Sequence, residues 1–272
     1  MSLLSMNEVT TYRWSFEEDV WQYEAAGYEA IGVWRQKLTD FGEEHGVDLL
    51  AESGLRVTNL LWAGGFTGSD GRSIAESVDD AAHAVRLAGA MNAGCLVVYP
   101  GGRNNHTFRH AERLLRTALD KLLDLAEAAE VTLAIEPMHP ACAAEWTFLT
   151  DLESTIALVE TYATPHLKLV LDTYHFGHDP VVLANLCEIV PHLALVQLGD
   201  RRCSHGIDQD RCALGNGTIP LAEIVRELIG AGYEGNFDVE LVGQDIELSD
   251  YQQLLSTSKQ AFDRLSMPVR GQ

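Results

Sequence analysis

Four short apolar runs in the second half of the chain each close on an oxygen-bearing side chain. They read LAIEP at Glu136, LVLDTYH at Asp172, LALVQLGD at Gln197 and FDVEL at Glu240. An uninterrupted apolar run of this length fits a strand buried on both faces, as in a parallel sheet. A carboxylate at the end of such a strand is costly unless its charge is compensated. Three carboxylates and an amide oxygen form an all-oxygen donor set, which suits a hard dication, Mn²⁺ or Mg²⁺, better than a Cys/His zinc site. Co²⁺ and Zn²⁺ are weaker matches to the same donors. The bland alternative is four strands that simply end in solvated polar residues, and four in succession weigh against it.

Positioning these side chains requires a frame that brings strand ends together. Eight strand candidates alternate with helical stretches: Val9–Tyr12, Ala30–Trp34, Arg56–Trp62, Cys95–Tyr99, Val131–Ile135, Lys168–Leu171, Leu193–Leu198 and Phe237–Leu241. Between them lie amphipathic segments, such as AERLLRTALDKLLDLAEAAE with Leu115, Leu119, Leu122 and Ala126 at helical spacing. A second runs over Asp151–Tyr162, with Leu152, Ile156 and Val159 on one stripe and capping oxygens at Thr150 and Asp151. A last helix is expected from about Asp250. Short connections between alternating elements imply parallel strands joined by right-handed crossovers. Eight units predict closure into an α/β (β/α)8 TIM barrel, and no GxGxxG follows the first strand to favour a dinucleotide fold. No Pro- or Gly-rich linker divides residues 1–272, so one domain is expected. In such a barrel the C-terminal strand ends share a mouth, where Glu136, Asp172, Gln197 and Glu240 would converge from strands five to eight.

Bulk properties narrow the partner. The 40 acidic and 19 basic residues give a formal charge of −21, which repels nucleic-acid phosphates and anionic lipid. A small molecule is expected instead. No stretch approaches the roughly 18 apolar residues of a membrane helix, and MSLLSMNEVT lacks the features of a signal peptide. Five cysteines without a CxxC pair read as reduced thiols of a cytoplasmic protein. Barrels of this size often self-associate, and a homo-oligomer is compatible with the chain, although no apolar patch places an interface.

Read together, the motifs resemble the sugar phosphate isomerase/epimerase group of xylose isomerase-like TIM barrels, a superfamily that also includes AP endonuclease family 2. The resemblance is strongest from Val131 to Leu241. It implies that Glu136, Asp172, Gln197 and Glu240 hold one divalent metal ion, with Gln197 standing where histidine is more frequent. It also implies that His175 contacts substrate, and that DRCALGNGTIP supplies Arg211 as a second substrate contact. The implied reaction begins when Glu136 or Glu240 removes the proton α to a carbonyl of a hydroxy-ketone, with the metal stabilising the enediolate. The other glutamate then returns a proton to the same carbon (epimerisation) or to its neighbour (isomerisation). The runner-up is a lyase, a dehydratase of a keto-inositol or keto-sugar, which shares the first half-reaction. The strongly negative charge and Gln197 argue against a zinc nuclease, and two opposed glutamates against a purely ligand-binding barrel.

Trp14, Trp34 and Trp62 fall at or just after strands one to three, and Trp146 follows strand five. Their faces suit the C–H surface of a sugar or cyclitol, so Trp14 and Trp62 are expected to bind substrate; capping of the barrel core is the competing reading. His139, His205 and Asp208 lie on loops near the mouth without an assignable task. Trp62-Ala63-Gly64-Gly65 and Tyr99-Pro100-Gly101-Gly102 are glycine turns that would let a ligand approach the backbone.

Overall fold

A computed structural model describes residues 3–206 and 208–266. The apolar runs form eight strands: β1 (Leu4–Asn7), β2 (Ala30–Trp34), β3 (Arg56–Gly64), β4 (Leu96–Tyr99), β5 (Leu133–Ile135), β6 (Leu167–Asp172), β7 (Leu193–Leu198) and β8 (Asn236–Val239). All neighbouring pairs are parallel, and β1 pairs with β8 to close the barrel.

The helices lie outside and bury the faces that the periodicity marks. In the helix Phe108–Ala128, Leu115, Leu119 and Leu122 are buried, each burial stabilising by about 2 kcal/mol. Asp151 caps Leu152–Glu160 by accepting from the Ser154 N–H, and Ser15 and Ser73 each build a capping box with a glutamate three residues on. Among the described residues no helix is long and apolar enough to cross a membrane.

The first strand departs from expectation. Val9–Tyr12 is a turn, and the strand is Leu4–Asn7, just upstream. Its two inward positions, Ser5 and Asn7, are polar, which hides it from a search for apolar runs. Inside the barrel they find partners. Asp238 of β8 accepts from Ser5 Oγ at 2.5 Å, Asn7 Nδ2 at 2.7 Å and Asn59 Nδ2 at 2.9 Å. Burial pushes the Asp238 carboxyl up to about 6, against the pull of these three donors. A hydrogen-bonded polar layer thus lies one inward position below Glu240.

A second buried polar group ties β1 and β2 to the outer helices. Lys37 Nζ contacts Asp19 Oδ2 at 2.5 Å and donates to the Thr11 carbonyl at 2.9 Å. Glu8, fully buried beside them, accepts from the Trp34 N–H at 2.7 Å. This group fixes the end of β2, from which Trp34 projects.

Candidate active site

Register delivers the four strand-end residues to one mouth. Asp172 pairs with Gln197 across β6 and β7, and Gln197 with Asp238 across β7 and β8. Glu136 and Glu240 each follow directly on β5 and β8. Asp172 also caps the short helix Thr173–Phe176 by accepting from the Tyr174 N–H at 2.7 Å. That helical turn carries His175 back over the carboxylates, placing its Nε2 3.8 Å from Asp172 Oδ2 and 3.9 Å from Glu136 Oε1.

Donor atoms of Glu136, Asp172 and His175 lie within 4.8 Å of one another, and all three residues are buried. This cluster could hold a metal ion. Among the described residues, neither oxygen of Glu136, neither ring nitrogen of His175 and not the amide oxygen of Gln197 has a hydrogen-bond partner. Orphaned buried acceptors of this kind are costly alone, and they converge here. Gln197 donates its amide N–H to Glu240. The sequence placed His175 only against substrate; the structure sets it among the metal-capable donors. Glu240, also expected among the ligands, accepts from Gln197 and pairs with Arg211 at the edge of this cluster.

Arg211, expected as a substrate contact, lines the same mouth. Its guanidinium pairs with Asp172 Oδ2 at 2.8 Å and Glu240 Oε1 at 3.2 Å, and lies 4.8 Å from the centre of the Tyr174 ring. It also donates to the Glu240 carbonyl at 2.8 Å. The segment that supplies it hangs on Asp200, which accepts from the N–H groups of Arg201, Gly215, Gly217 and Ile219. Sequence reading passed over Asp200, although its place in LGD at the end of a strand was the available signal.

Burial dominates the electrostatics. Glu136 is held well above its ordinary range by burial and then by Glu240 and Asp172, with Arg211 opposing. Burial raises Glu240 to about 7, again against Arg211. Asp172 is also raised by burial, offset by Arg211 and the Tyr174 N–H. His175 is driven well below 6.5 by burial and then by Arg211, which leaves a neutral imidazole able to donate a lone pair. Burial alone would lower Arg211; Asp172, Glu240 and Glu136 override it and raise it.

A cavity of about 320 Å³ opens over these groups, its walls including Trp34, Trp62, Tyr99, Trp146, Glu136, Arg211 and Glu240. Trp14 does not reach it: its ring packs edge-on against Tyr251 at 5.1 Å, under the last helix. The displaced first strand accounts for this, since Trp14 lies seven residues beyond Asn7, on the outward side of the turn. Asp208 joins the cavity lining, whereas His139 stacks on His205 at 3.7 Å beside it.

The family model described as xylose isomerase-like TIM barrel matches residues 22–261. Over 118 residues, 43% of this chain and 36% of the relative, the sequence is 30% identical to a D-psicose 3-epimerase of Enterocloster bolteae. Over 177 residues, 61% of this chain and 59% of the relative, it is 29% identical to a fructoselysine 3-epimerase of Shigella flexneri. The chain thus spans between about a third and three fifths of the length of these curated relatives. A solved structure described as IolI protein with a binding zinc atom shares the fold at a TM-score of 0.83 and 22% identity, over 97% of this chain and 98% of that one.

Proposed function

Because the chain belongs to the xylose isomerase-like TIM barrel family, we propose that it is a divalent-metal-dependent epimerase of a small keto-sugar. Its epimerase relatives support a carbohydrate substrate and proton transfer at a stereocentre. The observation that carries the reading is Glu136: fully buried, with both oxygens unpartnered, beside Asp172 and a neutral His175. A buried carboxylate without partners is stabilised by a cation, and this donor set fits one.

Glu136, Asp172, Gln197 and Glu240, with His175 alongside, are the residues that would hold the ion. Bound there, a dication supplies Lewis-acid stabilisation of negative charge developing on a carbonyl oxygen. This chain's residues do the rest. Glu240, buried at the mouth and held by Arg211, supplies one carboxyl that can take or return a proton. Glu136 supplies a second carboxyl from three strands away around the ring. Arg211 orients Glu240 by holding both its side chain and its carbonyl. Trp62 and Trp146 shut water from one side of the cavity and offer flat faces to sugar C–H groups.

The test is deuterium uptake from solvent at the carbon α to the carbonyl of a ketose panel, with product stereochemistry read by NMR. Exchange with conserved mass is expected. Full exchange in the Glu136→Gln, Glu240→Gln double variant refutes these roles, and net loss of water assigns the lyase reaction instead.

A further inference from the structure

The catalytic cavity shares a wall. Trp62, Tyr99 and Trp146 line it on one side and also line a second, larger cavity of about 560 Å³. The three rings form one block, with centroids 5.4 Å apart for Trp62 and Tyr99 and 5.7 Å for Trp146 with each of the others. Trp146 is 36% exposed, so this block presents aromatic surface rather than burying all of it. The far side of the second cavity is built from the two glycine turns. Gly101, at φ +101°, has no room for a Cβ, which would sit 2.4 Å from Thr67 Oγ1 and 3.3 Å from Gly65 Cα, so the two turns pack closely. Ser69, Asn104 and Glu145 give that cavity a polar rim.

Its chemistry selects a class of occupant. Among the described residues no lysine or arginine lines it, and Arg72 behind it is taken up by Asp70, Asp80 and the Gly64 carbonyl, which disfavours a phosphate or carboxylate. Of its two acids, Asp70 is already paired to Arg72, accepting from Nε at 2.7 Å and from the backbone N–H at 3.0 Å. An aromatic platform edged by hydroxyl, amide and carboxylate groups matches a neutral sugar ring, apolar on its C–H face and polar at its rim. The catalytic cavity is near the lower limit of ligand cavities, about 300 Å³, and holds one small ring.

We propose that this second cavity is a subsite for an appended sugar, so that the substrate is a neutral glycosylated ketose whose reactive ring lies over the carboxylates. This rests on the epimerase reading and narrows it. The test compares D-fructose with the ketose disaccharides lactulose, isomaltulose and turanose, and with a fructosyl-amine, by solvent deuterium uptake and by calorimetric binding to the metal-loaded protein. At least one disaccharide is expected to exceed fructose about tenfold in kcat/KM and in affinity. Ala144→Phe, which adds bulk from an exposed loop position on the second cavity alone, is expected to erase that advantage while fructose exchange stays within about twofold. If Ala144→Phe does not fold, Ala144→Leu fills part of the same space from the same exposed position.

Fructose exchange with no disaccharide gain overturns the subsite and leaves the epimerase reading intact. Disaccharide binding that the blocking variant removes, without exchange in any sugar, does the reverse. A gain confined to a fructosyl-amine, with none for the disaccharides, also overturns the proposal, because it assigns the cavity to a cation.

Discussion

Replacing Lys37 by methionine removes the one cation from a buried cluster that otherwise holds two carboxyls, Glu8 and Asp19. Burial raises Asp19 from 3.8 to about 6 even with Lys37 pulling it down, so the folded protein binds this proton more tightly than the unfolded chain. Stability from Asp19 is therefore complete below pH 3.8 and is lost as pH rises to about 6. Without Lys37 the folded value moves higher, and the loss continues. At pH 5 both proteins keep Asp19 protonated, and the variant loses little through this linkage. Each pH unit above 6 adds about 1.4 kcal/mol, giving about 1.4 kcal/mol at pH 7 and about 3 at pH 8. The penalty levels off near the 3–5 kcal/mol that breaking a buried pair typically costs (about 4 kcal/mol). In melting temperature this is roughly 6–12 °C at pH 8. Chelator-treated protein melted at pH 5, 7 and 8 provides the assay. An equal penalty at pH 5 and pH 8, or less than about 1 kcal/mol at pH 8, refutes the linkage argument.

Glu8→Gln, which keeps the shape but not the proton, should leave stability within about 1 kcal/mol of wild type at pH 7 in urea titration, because burial already holds Glu8 well above its ordinary range. Glu136→Gln should lower ketose deuterium exchange by about 10²–10⁴, read by NMR at saturating sugar. Manganese at about a hundred times its dissociation constant should raise stability by about 2.7 kcal/mol, and chelation should reverse it, as followed by thermal melts. Asp200→Ala should free the segment that carries Arg211, lowering kcat/KM for exchange by about tenfold while the far-ultraviolet dichroism of the barrel is kept.

Much of the barrel is legible because parallel strands buried on both faces are largely apolar, and seven of the eight strands fall on the runs the sequence marks. The ends of β5 to β8 follow from the same rule, since an acid is conspicuous after Leu-Ala-Ile or Leu-Val-Leu. What escapes is whatever a local pattern does not encode. Ser5 and Asn7 conceal β1 because their partners, Thr58 and Asp238, come from strands far along the chain. Trp14 is expected at the mouth only by its distance from a strand end that the structure moves upstream. Arg211 is recognisable by motif, but nothing in its neighbours tells that it will bridge Asp172 and Glu240. Glu8, Asp19 and Lys37 lie on three different elements and look like ordinary surface charges until the fold buries them.

The charge balance of the mouth links these observations. Glu136, Asp172 and Glu240 carry three negative charges when ionised, and Arg211 supplies one positive charge among them. The remaining imbalance of two can be met by protons or by a dication. Burial makes protons the default, which is why Glu136 and Glu240 are both pushed upward. A dication would restore both carboxylates to their ionised forms and replace the proton-holding pocket with one that can abstract protons. Arg211→Leu should shift that balance: metal-free protein loses about 3–5 kcal/mol by leaving the carboxylates without their cation. Manganese should then rescue the variant by a larger melting-temperature increment than it gives wild type, because the guanidinium no longer competes for Asp172 and Glu240. An equal or smaller increment would show that Arg211 does not compete with the cation, and that these carboxylates hold the guanidinium for structure alone.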